Sequence, residues 1–102
     1  MVSGEGTVIK ELPVAGSDEF IVLLDPDHRP EGVEAWHPFP NILRLSGAGE
    51  VLWRCELVPQ ETTWKCYLSV EWDGDRLAAD APSYKVTLDP GSGAIIESVF
   101  TK

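Results

Sequence analysis

The chain has 102 residues, of which 43% are hydrophobic, and its 17 acidic and 8 basic residues give a net charge of −9. This length suits one hydrophobic core, so we predict a single domain over residues 1–102. The negative charge argues against nucleic acid and anionic membranes as partners, and it would attract a basic protein. No run approaches the roughly 20 apolar residues of a membrane span, and residues 1–8 lack a signal-peptide pattern, which predicts a cytoplasmic location.

Short runs of alternating apolar and polar residues, separated by turn signals, predict an all-β protein with about eight short antiparallel strands. The first two strands are expected at residues 7–12 and 19–24, paired across a turn. Within the second of them, Phe20–Leu24 is apolar throughout. Such a run predicts a strand that is buried on both faces or covered by the long loop that follows.

Residues 25–40 contain four prolines and one glycine, so they cannot form a central strand and are predicted to be a long loop. Both histidines of the chain lie here beside several carboxylates, a set that could bind a cation or supply a general base. The D-P-D-H sequence lacks the ligand pattern of a calcium loop, so we predict no metal. Trp36, with Phe39 nearby, is expected to be an exposed anchor for a partner. The predicted binding residues are Trp36, His37, Phe39, His28 and Asp27.

The rest of the chain can be folded into successive hairpins whose antiparallel partners share one apolar face. The six strands expected here are residues 41–46, 50–58, 63–72, 76–80, 83–88 and 94–101. The predicted registers place Leu45 opposite Val51, Leu43 opposite Trp53, Cys55 opposite Cys66, Val70 opposite Leu77, Leu77 opposite Val86, and Val86 opposite Ile96. We therefore predict an antiparallel meander that forms a strongly curled sheet, or a small barrel-like or two-blade propeller-like arrangement.

The two cysteines, Cys55 and Cys66, lie directly opposite each other in one of these hairpins, which leaves two alternatives. A cross-strand disulfide would form in an oxidising compartment, whereas two buried thiols are expected in a cytoplasm. No further cysteine and no histidine close in sequence completes a zinc site. A structural role is therefore favoured over a redox role.

Turn and strand residues in about the last 60 positions carry a resemblance to known proteins. These residues are Asn41, Gly49, Val51, Trp53, Tyr84, Asp89, Gly93 and Ile95. The segments NILRLSGAGEVLWRCEL and SYKVTLDPGSGAIIESVFTK resemble hairpins of pyrroloquinoline-quinone-type propeller blades, and the whole pattern is similar to a family of small bacterial all-β proteins. Eight strands would make two blades where a closed propeller typically needs four to eight, so the resemblance implies neither a closed propeller nor a bound quinone.

No catalytic, phosphate-binding or cofactor motif is present in the sequence, so we predict a protein that is not an enzyme and holds no cofactor. The first functional hypothesis is a protein-interaction module of a bacterial cell, immunity- or inhibitor-like, that binds a basic protein through an acidic sheet face or the loop of Trp36. The alternative is a barrel-like protein with a small-molecule pocket lined by Trp53, Trp64, Trp72 and Tyr84. Homodimerisation through a sheet edge or face is also left open, because the terminal strands carry few prolines.

Overall fold

The computed structural model describes residues 2–3, 6–34, 37–61 and 65–101. All helix or strand structure in these ranges is β-strand, which confirms the predicted all-β, antiparallel class. The strands are β1 (Val2–Ser3), β2 (Gly6–Pro13), β3 (Phe20–Leu24), β4 (Ile42–Leu45), β5 (Val51–Arg54), β6 (Ser69–Asp73), β7 (Arg76–Asp80), β8 (Tyr84–Leu88) and β9 (Ile95–Phe100). Within the same ranges, no helix has the length and hydrophobicity of a membrane span.

The strands form two separate sheets, one with the order β1-β2-β3-β4-β5 and one with the order β6-β7-β8-β9. Because β1 has two residues, each sheet is in essence a four-stranded antiparallel meander. Neither described sheet is closed or strongly curled. The continuous six-strand meander predicted for residues 41–102 is therefore wrong, since the chain changes sheets between β5 and β6.

The described part of this crossover is held by tertiary contacts in place of a hairpin ladder. The backbone amide of Glu56 donates to the carbonyl of Gly93 (2.9 Å). Glu56 therefore pairs with the turn between β8 and β9 and not with a residue of β6. The buried carboxylate of Glu61 accepts a hydrogen bond from the backbone amide of Ser83 (2.9 Å). A buried carboxylate is costly unless it is hydrogen-bonded, so this contact anchors the crossover against the turn between β7 and β8.

Buried Asn41 fastens the crossover to the first sheet. Its side-chain amide donates to the carbonyls of Leu24 (2.9 Å) and Tyr67 (2.7 Å), and its oxygen accepts from the backbone amide of Tyr67 (2.7 Å). The three bonds satisfy backbone groups that would otherwise be buried without partners. The two cysteines do not lie opposite each other in a hairpin as predicted, but both are free and buried, as one of the two alternatives requires. Cys55 lies between the sheets and Cys66 against the outer face of the first sheet.

The main core lies between the two sheets. Its members come from the inner faces of both sheets and include Ile21, Leu23, Ile42, Val70, Leu77, Val86 and Leu88. Full burial of each large aliphatic side chain contributes about 1.5–3 kcal/mol to folding. The two meanders therefore form a sandwich rather than an open sheet.

A second core covers the outer face of the first sheet. Val22 and Leu43 lie on that face, and Val33 and Phe39 of the long loop pack over it together with Cys66 of the crossover. Strand β3 is thus buried on both faces, one under the second sheet and one under the loop. Both parts of the prediction made from its unbroken apolar sequence are confirmed.

A β-bulge explains why one predicted register is only half right. Leu45 lies opposite Val51 as predicted, but a shift between Arg44 and Leu45 then places Arg44, not Leu43, opposite Trp53. The extra residue turns Trp53 to the inner face, because a slip of one residue exchanges the two faces of a strand. Its indole nitrogen there donates to the carbonyl of Pro90 (2.9 Å).

In the second sheet the predicted partners are displaced by two residues, and the predicted faces of β6, β7 and β8 are preserved. Val70 lies opposite Ala79, Leu77 opposite Leu88, and Val86 opposite Ser98. A displacement of two residues leaves each side chain on its original face, since the side-chain period of a strand is two. The predicted faces of Val70, Leu77 and Val86 were therefore right, although the predicted partners Val70–Leu77, Leu77–Val86 and Val86–Ile96 were wrong. In β9 the predicted face was wrong as well, because a bulge places Ile95 opposite Leu88 and against the core and leaves Ile96 59% exposed.

Candidate acidic groove

The outer face of the second sheet is open to solvent and forms a shallow groove of about 430 Å³. No loop of the described chain is packed over it in the way that the long loop covers the first sheet. The outward side chains that line it are Ser69, Glu71, Asp73, Ala78, Asp80, Lys85, Thr87, Glu97 and Val99. Arg76 lies on the same face at its margin, opposite Asp73. We call this surface the acidic groove.

One row of residues across the four strands defines the shape of the acidic groove. Glu71 lies opposite Ala78, Ala78 opposite Thr87, and Thr87 opposite Glu97. The two small central side chains form the floor, and the two exposed glutamates form the walls. With neighbouring strands about 4.8 Å apart, the backbones of the walls are separated by roughly 14 Å, enough for one extended peptide segment.

The charges of the acidic groove are only partly neutralised by the protein. In a second row Asp80 lies opposite Lys85, and the Asp80 carboxylate accepts from the Ser69 hydroxyl (2.8 Å). Glu71 accepts from the ammonium of Lys10, which reaches across from the first sheet (3.2 Å). That contact shows that a lysine can be seated at this wall, whereas no cation contacts Glu97 within the described residues.

The arrangement of carboxylates suits the recognition of positive charge. Carboxylates on strands β6 and β9 are too far apart for one to act on a proton held by the other. No cluster of three or more histidine, cysteine or acidic side chains suited to a metal ion occurs in the described ranges. An exposed row of carboxylates over a small-residue floor can instead attract cationic side chains and fix their spacing.

The predicted loop site is only partly assembled. Asp25 accepts the backbone amide of Asp27 (2.8 Å), and its other oxygen lies 2.6 Å from Nδ1 of His28. The backbone amide of Asp27 and then His28 lower the pKa of Asp25, and the hydrogen bond with Asp25 raises the pKa of His28. The pair forms an exposed Asx-type turn, as the Asp25-Pro26 sequence indicates.

Arg29 organises the remainder of this loop. Its guanidinium donates to the carbonyls of Glu34 (2.9 Å) and His37 (2.8 Å) and lies 5.2 Å from the ring centre of Phe39. Nδ1 of His37 accepts the backbone amide of Glu34 (2.9 Å). These hydrogen bonds fix the conformation of the loop although it forms no β-ladder with a strand.

The structure separates the predicted binding residues of the loop. Asp27 and His28 are exposed, His37 is half-buried, and Phe39 is 5% exposed, so its ring serves the second core and is not an exposed anchor. Trp36, the predicted anchor, lies outside the described residues. A binding role for these positions remains a prediction.

Of the four residues predicted to line a small-molecule pocket, the three described ones do not come together. Trp53 and Trp72 lie near the end of the sandwich where the hairpin turns meet, whereas Tyr84 stands at the other end of β8, edge-on to Phe100 with ring centres 5.4 Å apart. Trp64 lies outside the described residues. A shallow, mostly apolar groove of about 510 Å³ at the hairpin end is lined by Pro13, Val14, Ala15, Trp72, Gly74, Asp75 and Pro90.

Neither cysteine has the surroundings of a reactive thiol. Burial raises the pKa of Cys55 to about 12. Burial also raises the pKa of Cys66, an effect that Arg29 partly offsets. Reactive cysteines need a lowered pKa and solvent access, so both thiols are structural.

The residues of the acidic groove could have been found from the sequence. Strands β7 and β8 read RLAAD and YKVTL, so every second residue is polar or small, and this alternation predicts an exposed face. The residues of the predicted acidic sheet face are not determined by this alternation alone, because the register that brings Glu71, Ala78, Thr87 and Glu97 into one row is also needed.

A family model described as Domain of unknown function (DUF7957) matches residues 9–100 of the chain. The match includes strands β3 to β9 and all residues of the acidic groove. No curated protein and no solved structure matches the chain.

Proposed function

The chain belongs to the DUF7957 family, and we propose that it is a non-catalytic module that binds a basic segment of a partner protein in the acidic groove. The single observation that carries this proposal is the row Glu71, Ala78, Thr87 and Glu97, which places a small-residue floor between two exposed carboxylates. Partner proteins rich in arginine or lysine would complement both the groove and the net charge of −9.

The intramolecular contact of Lys10 supports the chemistry of this proposal. Its ammonium lies 3.2 Å from a carboxylate oxygen of Glu71, whose side chain is 71% exposed, so the geometry of this wall accommodates a cationic side chain. Glu97, on the other wall, offers an equivalent carboxylate to an external lysine or arginine. An immunity- or inhibitor-like role in the cytoplasm of a bacterial cell would use such a face to cover a basic surface of its target.

A charge-reversal pair tests the proposal. The probe is a short arginine- and lysine-rich model peptide, titrated into wild type, Glu97→Lys and Glu50→Lys in a calorimeter. Both variants change the net charge equally, but Glu50 lies in the exposed turn between β4 and β5, away from the groove. We expect Glu97→Lys to weaken binding about tenfold or more and Glu50→Lys to weaken it only slightly.

Two outcomes of the same titration would contradict the proposal. Equal weakening by both substitutions would mean that net charge alone attracts the peptide. Undetectable binding to wild type at low salt would remove the proposed recognition of basic segments. Circular dichroism spectra of the two variants serve as the control for folding.

The groove at the hairpin end supports a second candidate function, the binding of a small apolar molecule. Its volume of about 510 Å³ lies in the usual range of ligand sites, and Trp72 and two prolines contribute to its walls. Indole fluorescence should then respond to a panel of apolar metabolites, and Ala15→Lys, at an exposed wall position, should abolish the response. A panel without any response would remove this candidate.

We further propose that each four-stranded meander is an analogue of a propeller blade. In support, the strands of each sheet follow chain order and are antiparallel throughout, as in a blade, and the two sheets pack face to face. This likeness brings no quinone, because it concerns strand order and turns alone. A crystal structure with sheet crossing angles unlike those of adjacent blades would contradict it.

A further inference from the structure

Strand β9 forms a sheet edge without the usual protection against pairing with another chain. Its sequence, IIESVF, contains no proline, lysine or arginine, and one glutamate. Three of its large apolar side chains are exposed: Ile96 (59%), Val99 (53%) and Phe100 (60%). Natural sheet edges are normally blunted by charges, prolines or covering segments, so an edge of this kind is suited to strand pairing.

The edges of the first sheet are protected. Beyond its pairing with the two-residue β1, strand β2 is the edge on one side and carries Lys10, Glu11 and Pro13, which disfavour the approach of a further strand. Strand β5 is followed by Glu56, whose backbone amide is bonded to Gly93 of the turn between β8 and β9. That turn therefore covers the β5 edge.

The second sheet differs between its two edges. Strand β6 is braced by the first sheet, since Glu71 binds Lys10 and the indole of Trp72 donates to the carbonyl of Pro13 (2.8 Å). No described segment packs along the edge of β9 in this way. Among the described edges, β9 thus combines exposed apolar side chains with an uncovered backbone.

The ladder between β8 and β9 determines which backbone groups point outward. The amide of Thr101 donates to the carbonyl of Ser83 (2.9 Å), and Val99 pairs with Lys85 in the same register. Hydrogen-bonded and non-bonded pairs alternate in an antiparallel ladder, so the N–H and C=O groups of Ser98 and Phe100 point away from β8. The bulge next to Leu88 limits the free edge to this C-terminal half of the strand.

We propose that two copies of the chain associate by antiparallel pairing of their β9 edges, with the two-fold axis at Val99. In this register Ser98 of each copy lies opposite Phe100 of the other, so the two outward residues of each strand form four backbone hydrogen bonds. Val99 meets its own counterpart, an apolar contact on the outer face. The arrangement joins the two second sheets into one eight-stranded sheet.

The register of the strand supports a second copy as the occupant, because its outward groups are self-complementary about Val99. With the axis at Val99, Glu97 of one copy lies opposite Thr101 of the other, so the one charged residue of the strand does not meet itself. Opposed like charges would destabilise the pair. The inference does not rest on the proposed binding of basic segments, because the edge pairs through the backbone of Ser98 and Phe100, whereas the acidic groove would bind through carboxylates; Val99 borders both.

Sedimentation equilibrium over a concentration series tests this inference, with no peptide present. We expect wild type to form a dimer that strengthens with added salt, since salt screens the repulsion between two copies of net charge −9. Val99→Lys should raise the dimer dissociation constant about tenfold or more, because two lysines would meet at the axis. Ile9→Lys is the matched control, since Ile9 is equally exposed (52%) on the other sheet, and it should dimerise as wild type does.

A second variant keeps the test decisive if Val99→Lys is poorly folded. Ser98→Pro removes an outward N–H without removing a bond to β8, and it should also yield monomers. Wild type that remains monomeric up to its solubility limit would overturn the inference. Dimers that persist in both Val99→Lys and Ser98→Pro, or that are lost in Ile9→Lys alone, would overturn it as well. The peptide titration tests the acidic groove separately, so the two proposals can fail independently.

Discussion

The outer faces of the two sheets have opposite environments, although both sheets are four-stranded meanders of similar size. The outer face of the first sheet is apolar and lies under the long loop and the crossover. The outer face of the second sheet is polar, open and acidic. One sheet is therefore the central layer of the protein, and the other has an outer face open to solvent.

This difference follows from the amino-acid pattern of the strands. β3 is apolar at every position, so both of its faces must be covered, whereas β7 and β8 alternate and need one covered face. The long loop supplies the second cover by turning Phe39 inward. The main structural role of the proline-rich loop is thus to cover the outer face of the first sheet. The open face of the second sheet is the better candidate for binding.

The largest expected effect compares equivalent positions on the two outer faces. Leu43→Ala should lower the free energy of unfolding by about 2–5 kcal/mol, because it opens a cavity beneath the loop. Thr87→Ala, on the floor of the acidic groove, should cost less than about 1 kcal/mol. Urea denaturation of the two variants measures both values. Similar losses would mean that the two outer faces are equally important to the core.

A smaller loss in the free energy of unfolding is expected from removing Asn41, whose hydrogen bonds connect the first sheet to the crossover. Asn41→Ala removes three hydrogen bonds and leaves the amide of Tyr67 and the carbonyl of Leu24 buried without these partners. The expected loss in the free energy of unfolding is roughly 2–4 kcal/mol. Asn41→Asp is the informative control, since its oxygens can still accept from Tyr67 but cannot donate. A negligible loss in Asn41→Ala would show that water replaces the side chain.

The two cysteines are buried by different parts of the protein, and the rates of thiol labelling can compare how often each becomes accessible. Cys66 lies under the loop, whereas Cys55 lies between the sheets. Loops open locally at lower free energy than packed sheets, so we expect Cys66 in native protein to be alkylated about tenfold faster than Cys55. Mass spectrometry of the labelled peptides gives the two rates. Faster labelling of Cys55 would reverse the proposed order of stability of the two covers.

The smallest expected effect concerns the exposed pair in the loop. Hydrogen bonding to Asp25 raises the pKa of His28, so the pair contributes stability below the pKa of the unfolded chain and loses it as the pH rises through the folded pKa. An NMR titration should place the pKa of His28 above its ordinary value of 6.5. Asp25→Asn should lower it more than Asp27→Asn does, because Asp27 acts through charge alone. Equal effects of the two substitutions would contradict the hydrogen bond.

Much of the fold could be predicted because the alternation of side chains along a strand determines which face of the sheet each residue occupies more reliably than it determines the residue opposite it on the next strand. The faces of Val70, Leu77 and Val86 were predicted correctly, since the real pairings differ by two residues. The bulge beside Arg44 was not predictable, because no glycine or proline marks it, and it turned Trp53 to the other face. A single inserted residue in a ladder has no sequence signal of its own here.

The change of sheet after β5 was missed for a different physical reason. Residues on either side of the crossover alternate well enough to pair, and the contacts that prevent pairing are distant in sequence. Glu61 reaches Ser83 and Asn41 reaches Tyr67, and neither partner could be inferred from local pattern. Phe39 likewise reads as an exposed loop aromatic until the apolar face that it covers is known.

Two-dimensional NMR spectra of the labelled protein, recorded while the basic model peptide is added, test the central claim most directly. The claim is that the open face of the second sheet is the binding face. We expect amide shifts concentrated at Ala78, Thr87 and Glu97, with residues of the long loop unchanged. Shifts concentrated at residues 25–40, with the second sheet unaffected, would contradict the claim and return the binding site to the loop.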